Sequence, residues 1–166
     1  MKKRTKRAVI LLAGASVIGF VTAVFIRNKR IKEYKSKYYT LADLFASETA
    51  AKLGIKNITE DDTYLLNMKA LIKFVLDPLC DAYGTRIHIN SGFRTKQLND
   101  AIDGSSSSSQ HMTGEAADLD TGSKSGNKRL YEILRGMNFD QLINEHDYSW
   151  IHVSYKRNGI NRRHII

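Results

Sequence analysis

The sequence predicts an α+β domain with a small, mostly antiparallel sheet and helices packed on one side, and three observations carry that reading. Apolar residues recur at helical spacing between Leu65 and Leu79. Short alternating segments rich in β-branched residues follow in the second half of the chain. Helices therefore come first and strands later, an order that favours antiparallel pairing over alternating βαβ units.

The elements follow in order. Thr40 is placed to cap a first helix that runs to about Lys52 and ends at Gly54. Asn57 to Asp62 is a polar connection. A second helix over Thr63 to Tyr83 carries Leu65, Leu66, Met68, Leu71, Ile72, Phe74, Val75, Leu76 and Leu79. Pro78 is expected to kink it or begin a new turn, and Gly84 to end it. Arg86 to Ser91 alternates as a strand does, and Gly92 breaks it. Lys96 to Ile102 reads as a short helix. Ser105 to Ser109 would pass for a linker by composition. Because His111 follows at once, the run is read as an ordered or semi-ordered loop of a site. Ala116 to Asp120 is a second strand and Lys128 to Met137 a third helix. Phe139 to Glu145 and Trp150 to Tyr155 make a hairpin around the loop His146 to Ser149. Asn161 to Ile166 adds an edge strand.

Charge is distributed unevenly along the 166 residues, whose formal net charge is +9. Residues 1–37 hold 11 of the 26 Lys and Arg and one of the 17 Asp and Glu, a net of +10. The other 129 residues carry 15 basic and 16 acidic side chains, a net of −1. The body is electrically neutral and lacks the basic face that phosphate binding needs, which argues against a nucleic-acid partner.

Ala8 to Ile26 is a run of 19 residues without a formal charge, with basic clusters on both sides. At about 1.5 Å per residue it just spans a hydrocarbon core of about 30 Å. An uncleaved signal anchor is the preferred reading, since the apolar run continues to the next basic cluster. A cleaved signal peptide competes through Val21-Thr22-Ala23, and a buried core helix is the third reading. The chain thus divides into a basic segment (1–7), a transmembrane anchor (8–26), a basic stalk (27–39) that continues helical for some distance, and a globular domain (40–166). The single cysteine, Cys80, excludes an intrachain disulfide and is read as a small buried apolar residue.

His111, Asp118 and His152 carry the chemistry. Two imidazoles and a carboxylate fill three corners of a tetrahedron around zinc and leave the fourth for water. A closed structural site would need another protein ligand, usually sulfur, and Cys80 lies far off in a helical stretch. The seven-residue spacing of His111 and Asp118 suits a loop that turns at Gly114 and enters a strand. His152 comes from a separate strand.

The segments Ser91-Gly92-Phe93-Arg94-Thr95, Leu98-Asn99, Ser109-x-His111-x-x-Gly114-x-Ala116-x-Asp118 and Trp150-x-His152-x-Ser154 resemble the zinc D-Ala-D-Ala carboxypeptidase family. That family includes phage endolysins that cut the L-Ala–D-Glu bond of peptidoglycan stems, and it shares its fold with the Hedgehog signalling domain. The resemblance covers about residues 40 to 155. It implies Zn²⁺ on His111, Asp118 and His152, peptidoglycan stem peptides as substrate, Arg94 as both a catalytic and a substrate-binding residue, and Asn99 and Ser109 as further substrate-binding residues. A planar guanidinium suits a carboxylate or carbonyl, although pairing of Arg94 with an acidic residue of the sheet is the competing reading.

Many relatives carry Glu or Asp three residues before the last histidine ligand, where this chain has Ser149. The hairpin offers a replacement base. If the loop is His146 to Ser149, Glu145 faces Trp150 and Ile143 faces His152, so Glu145 and His152 share a face as diagonal neighbours. Asp147 is the alternative base. Peptidoglycan lies outside the cytoplasmic membrane, so the resemblance implies a single-pass protein with its catalytic domain on the extracytoplasmic side. Two cuts stay open, D-Ala–D-Ala carboxypeptidase and endopeptidase. The competing functions are a membrane-anchored, non-catalytic cell-wall-binding module that retains the fold, and a tethered structural protein without metal.

Overall fold

The computed structural model describes residues 33–166, and the proposed anchor at 8–26 lies outside the described residues. Among the described residues no helix is long and apolar enough to cross a membrane. Residues 35–166 form one unit in which helices and a five-stranded sheet share a core, the α+β class expected.

That unit begins earlier than residue 40, and its first residues are not helical. Lys35 bridges to Thr40, Ser36 N–H donates to Tyr39 O at 2.7 Å, and Ser36 Oγ donates to Asp77. Tyr39 is buried, with its hydroxyl donating to Ile87 O at 2.7 Å. Burying that ring joins residues 35–39 to the folded unit.

The expected first helix is two, α1 (Leu41–Phe45) and α2 (Glu48–Leu53). The Asp43 carboxylate accepts from Thr40 N–H at 2.7 Å and so closes the start of α1. Ser47 interrupts the run because its hydroxyl accepts from Ala50 N–H, capping a new start, and Gly54 ends α2 in the left-handed region. The second expected helix is continuous from α3 (Asp62–Leu71) through a π turn (Ile72–Leu76) into α4 (Asp77–Tyr83). Pro78 explains the π turn. It has no N–H to give, and the wider ring, in which Asp77 N–H reaches Ile72 O, absorbs the mismatch without a break. Leu65, Met68, Leu71, Ile72, Val75, Leu76 and Leu79 fill the core, whereas Leu66 and Phe74 are exposed. Phe74 instead stacks on Tyr155.

The sheet runs β1 (His88–Ser91), β2 (Ala116–Asp120), β4 (Trp150–Ser154), β3 (Gln141–Glu145) and β5 (His164–Ile165) in spatial order. Pairing is antiparallel from β1 to β3, with Asp118 opposite His152, Ile143 opposite His152 and Glu145 opposite Trp150. Alternation sends Ala117, Leu119, Leu142, Ile151 and Val153 to one face, where all are fully buried. Helix α6 (Lys124–Arg135), capped by the Ser123 hydroxyl, contributes Leu130 and Leu134 to the core. Asp118, His152, Ile143 and Glu145 share the opposite face. A short helix, α5 (Lys96–Asp100), and a 3₁₀ turn (Gln110–Thr113) complete the elements.

The edge strand at the C-terminus exists, but β5 pairs parallel to β3. Asp140 secures it. Its carboxylate is fully buried and accepts from Arg162 Nη2 at 2.6 Å, Arg162 Nε at 2.9 Å and Gln110 Nε2 at 3.1 Å. Burial works to raise the Asp140 pKa, but the Arg162 hydrogen bonds outweigh it and hold the group at about 2. A depressed carboxylate contributes stability above its unfolded pKa, near 3.9, and loses that contribution as pH falls through the folded value. We expect the urea midpoint to drop steeply between about pH 4 and pH 2. Asp140→Asn should flatten that slope and cost about 2 kcal/mol at neutral pH, checked by urea unfolding across the pH series.

Candidate metal centre

His111, Asp118 and His152 converge although 41 residues separate the first from the last. His111 rides on the 3₁₀ turn, where the Ser109 hydroxyl accepts from its N–H at 3.4 Å. Gly114 closes the turn at φ +71°. A Cβ there would meet Tyr64 O at 2.7 Å, so only glycine lets the loop lie this close to α3. Asn67 of α3 donates to Thr113 O and holds the loop down. Asp118 and His152 sit directly opposite on β2 and β4, which places their side chains side by side on one face.

The three ligand atoms form a nearly equilateral triangle. His111 Nε2 lies 3.2 Å from Asp118 Oδ1 and 3.2 Å from His152 Nδ1, and His152 Nδ1 lies 2.9 Å from Asp118 Oδ1. Tetrahedral zinc with ligands at about 2.0–2.1 Å asks for separations of roughly 3.3 Å, so the triangle has the right size. The protons agree with the distances. His111 Nδ1 lies 2.6 Å from Gly92 O, which can only accept, so Nδ1 carries the hydrogen. Neutral His111 then presents a lone pair on Nε2, facing a carboxylate oxygen that also has only lone pairs. A shared cation resolves that juxtaposition.

Burial reinforces it. The three residues are 2%, 8% and 8% exposed in chain order. Desolvation pushes the His111 pKa down, against the pull of Asp118, and keeps the imidazole neutral. For Asp118, burial works toward protonation, but its polar surroundings, the two imidazoles and the Arg94 guanidinium that donates to Oδ2 at 2.6 Å, outweigh it and hold the carboxyl below the usual range. A neutral His111 and an ionised Asp118 are in the states that metal ligation requires. His111, Asp118 and His152 therefore fit zinc.

Gly92 is as constrained as Gly114. A Cβ on it would sit 2.5 Å from Leu44 O, and Phe93 N–H donates to that same oxygen at 2.7 Å. Buried Asn57 clamps the segment, donating to Phe93 O and accepting from Thr95 N–H. Arg94 follows directly. Its Nη2 donates to Asp118 Oδ2 at 2.6 Å and its Nε to Ser91 Oγ at 2.8 Å. The pairing of Arg94 with an acid of the sheet is thus realised, and that acid is the candidate ligand Asp118.

An open cleft of about 1100 Å³ lies over the triad. Arg94, Ser109 and Glu145 line it, as do His146 and Trp150, whose rings pack 4.8 Å apart. Two expected site residues lie elsewhere. Asn99 is 1% exposed and sits beneath the serine loop, its side-chain amide donating to Ser106 O and its backbone carbonyl accepting from Ser105 Oγ. It shapes the loop, and its side-chain Oδ1 is buried without a hydrogen-bond partner. Asp147 points away, its carboxylate 2.9 Å from Lys124 Nζ, outside the cleft lining. Ser109 does line the cleft, but its hydroxyl is committed to the ligand turn. Lys156, Arg162 and Glu115 line the cleft and were not anticipated. The sequence signal for Glu115 was its place within the ligand motif; the other two had none.

Holding a ligand carboxylate in place is a measurable contribution. Arg94→Met should weaken zinc affinity by about 10- to 100-fold, the usual effect of removing a partner of a metal ligand, while leaving the fold intact. Competition against a chromophoric chelator checks it, and unchanged affinity would mean that Arg94 serves another purpose.

A family model described as Peptidase M15 matches residues 37–154. No curated protein matches the chain. The matched span contains all three ligands, Arg94 and the hairpin that carries Glu145, and covers most of the sequence. The chain belongs to the Peptidase M15 family, a family of metallopeptidases.

Proposed function

We propose that the chain is a zinc-dependent peptidase that hydrolyses peptide bonds in peptidoglycan stem peptides, as a D-Ala-D-Ala carboxypeptidase or an endopeptidase. The observation that carries this reading is the convergence of His111 Nε2, Asp118 Oδ1 and His152 Nδ1 at the cleft, in a chain of a peptidase family. Zinc held there supplies Lewis acidity toward a carbonyl and a water of lowered pKa.

The chain's own residues do the rest. Glu145 is the general base: it lines the cleft and shares the sheet face of His152, one register step away. It takes a proton from the attacking water and returns it to the leaving amine nitrogen. Arg94 holds Asp118 with Nη2 and turns the remainder of its fork toward the substrate carbonyl. Ile143, opposite His152, and Trp150, two residues before that histidine, give the cleft apolar surface beside the triad.

The setting belongs to the same proposal. Residues 8–26 anchor the protein as a single-pass signal anchor, and the domain works on the extracytoplasmic side, where stem peptides are. A second reading, a cell-wall-binding module without turnover, draws support from Ser149. Its hydroxyl donates to His146 O at 2.8 Å, at the position where relatives place a carboxylate.

Mass spectrometry of muropeptides before and after digestion separates the two. The catalytic reading expects cleavage by the parent chain, a loss of 100-fold or more in Glu145→Gln, and little change in Asp147→Asn. Intact muropeptides after exposure to the zinc-loaded parent would favour the binding module.

A further inference from the structure

The C-terminal tail builds a charged wall of the cleft from residues beyond the span that matches the family, which ends at residue 154. Lys156 and Arg162 both line the cleft, and both lie against the one carboxylate of Asp140. Lys156 Nζ is 3.5 Å from Asp140 Oδ1, and Arg162 Nη2 is 2.6 Å from Oδ2. Two cations share the one carboxylate of Asp140, a local excess of one positive charge; Glu115, whose backbone pairs with Tyr155, also lines the cleft, and its carboxylate accepts from Thr113 Oγ1.

This wall is rigid. Asn161 accepts from Lys156 N–H at 2.8 Å and donates back to Lys156 O at 3.2 Å, closing the loop between the two cations. Arg163 donates to Met137 O and Arg135 O, and β5 is hydrogen-bonded along β3. Gln110 ties Asp140 to the turn that carries His111, so the cationic pair is fixed relative to the triad.

Position along β3 gives the wall its meaning. Asp140 adjoins Gln141, which faces the cleft two residues before Ile143, the residue opposite His152. Glu145 lies two residues beyond Ile143 in the other direction. Each step of two strand residues is about 7 Å, the reach of roughly two residues of an extended peptide. The cleft therefore has a cationic end and an acidic end on either side of the triad.

We infer that Lys156 and Arg162 form a specificity site for a free carboxylate carried by the peptide within about two residues of the scissile bond. The inference rests on the peptidase reading for the identity of its ligand and extends it to substrate choice. Arg162 is bound to Asp140 by two of its nitrogens and sets the geometry, whereas Lys156, held at 3.5 Å, is the freer donor for the incoming carboxylate.

Three synthetic stem pentapeptides test it: the parent with both carboxylates free, one amidated at the D-Glu α-carboxyl, and one amidated at the C-terminus. Trp150, the only tryptophan of the chain, lines the same cleft, so its fluorescence reports binding without turnover. The expected result is that one amidation weakens binding to the full chain at least tenfold. Lys156→Gln should abolish that difference and Lys156→Arg restore it, with urea midpoints confirming that both variants are folded. Equal binding of all three peptides, or discrimination that survives Lys156→Gln, would overturn the inference. Discrimination in binding with no cleavage of any peptide would instead sink the peptidase reading and leave the carboxylate site standing.

Discussion

The hydrogen bond from His111 Nδ1 to Gly92 O, at 2.6 Å, decides what the site can be. A backbone carbonyl cannot donate, so the bond fixes both the ring orientation and the tautomer, and Nε2 is left as a lone pair aimed at Asp118 and His152. Much of the first half of the domain serves that carbonyl. Leu44 approaches so closely that residue 92 must be glycine, Phe93 ties the turn to Leu44 O, and Asn57 clamps the following residues. The helices that precede the sheet thus act on the metal centre through one turn of backbone.

Asp118 joins the other two parts. One oxygen faces the imidazoles and the other accepts from Arg94, whose Nε is held by Ser91 on the neighbouring strand. A buried carboxylate in this setting would be costly alone. Here the guanidinium offsets its charge on one side, and the arrangement calls for a cation on the other. Arg94 therefore has a task besides the substrate contact proposed for it. It keeps a ligand ionised and aimed, and the same geometry brings the guanidinium to the edge of the cleft.

What could be read from the sequence was what local periodicity determines. Strand alternation and the length of the loop His146 to Ser149 fix which residues face each other, so the pairing of Ile143 with His152 and of Glu145 with Trp150 followed without coordinates. The ligand triad was legible because its residue types and the turn at Gly114 leave few alternatives. What escaped depends on contacts between distant segments. The break after Phe45 requires Ser47 to cap a new helix against the expectation of one run, and the π turn follows from how Pro78 is accommodated in a packed helix. Asn99 reads like a site residue, yet the serine loop folds over it and takes its amide. No pattern in the sequence announces that Arg162 will reach Asp140 or that the tail will run parallel to β3. Those two facts set the charge of one end of the cleft.

The central claim is that His111 Nε2, Asp118 Oδ1 and His152 Nδ1 hold one zinc ion and leave a coordination position open. X-ray absorption at the zinc edge on the purified, zinc-loaded chain tests it most directly. The account predicts one zinc per chain in a four-coordinate shell of nitrogen and oxygen at about 2.0–2.1 Å, with imidazole scattering from two histidines and no sulfur. A shell containing sulfur, an octahedral hydrated ion without imidazole scattering, or no bound zinc at all would contradict it.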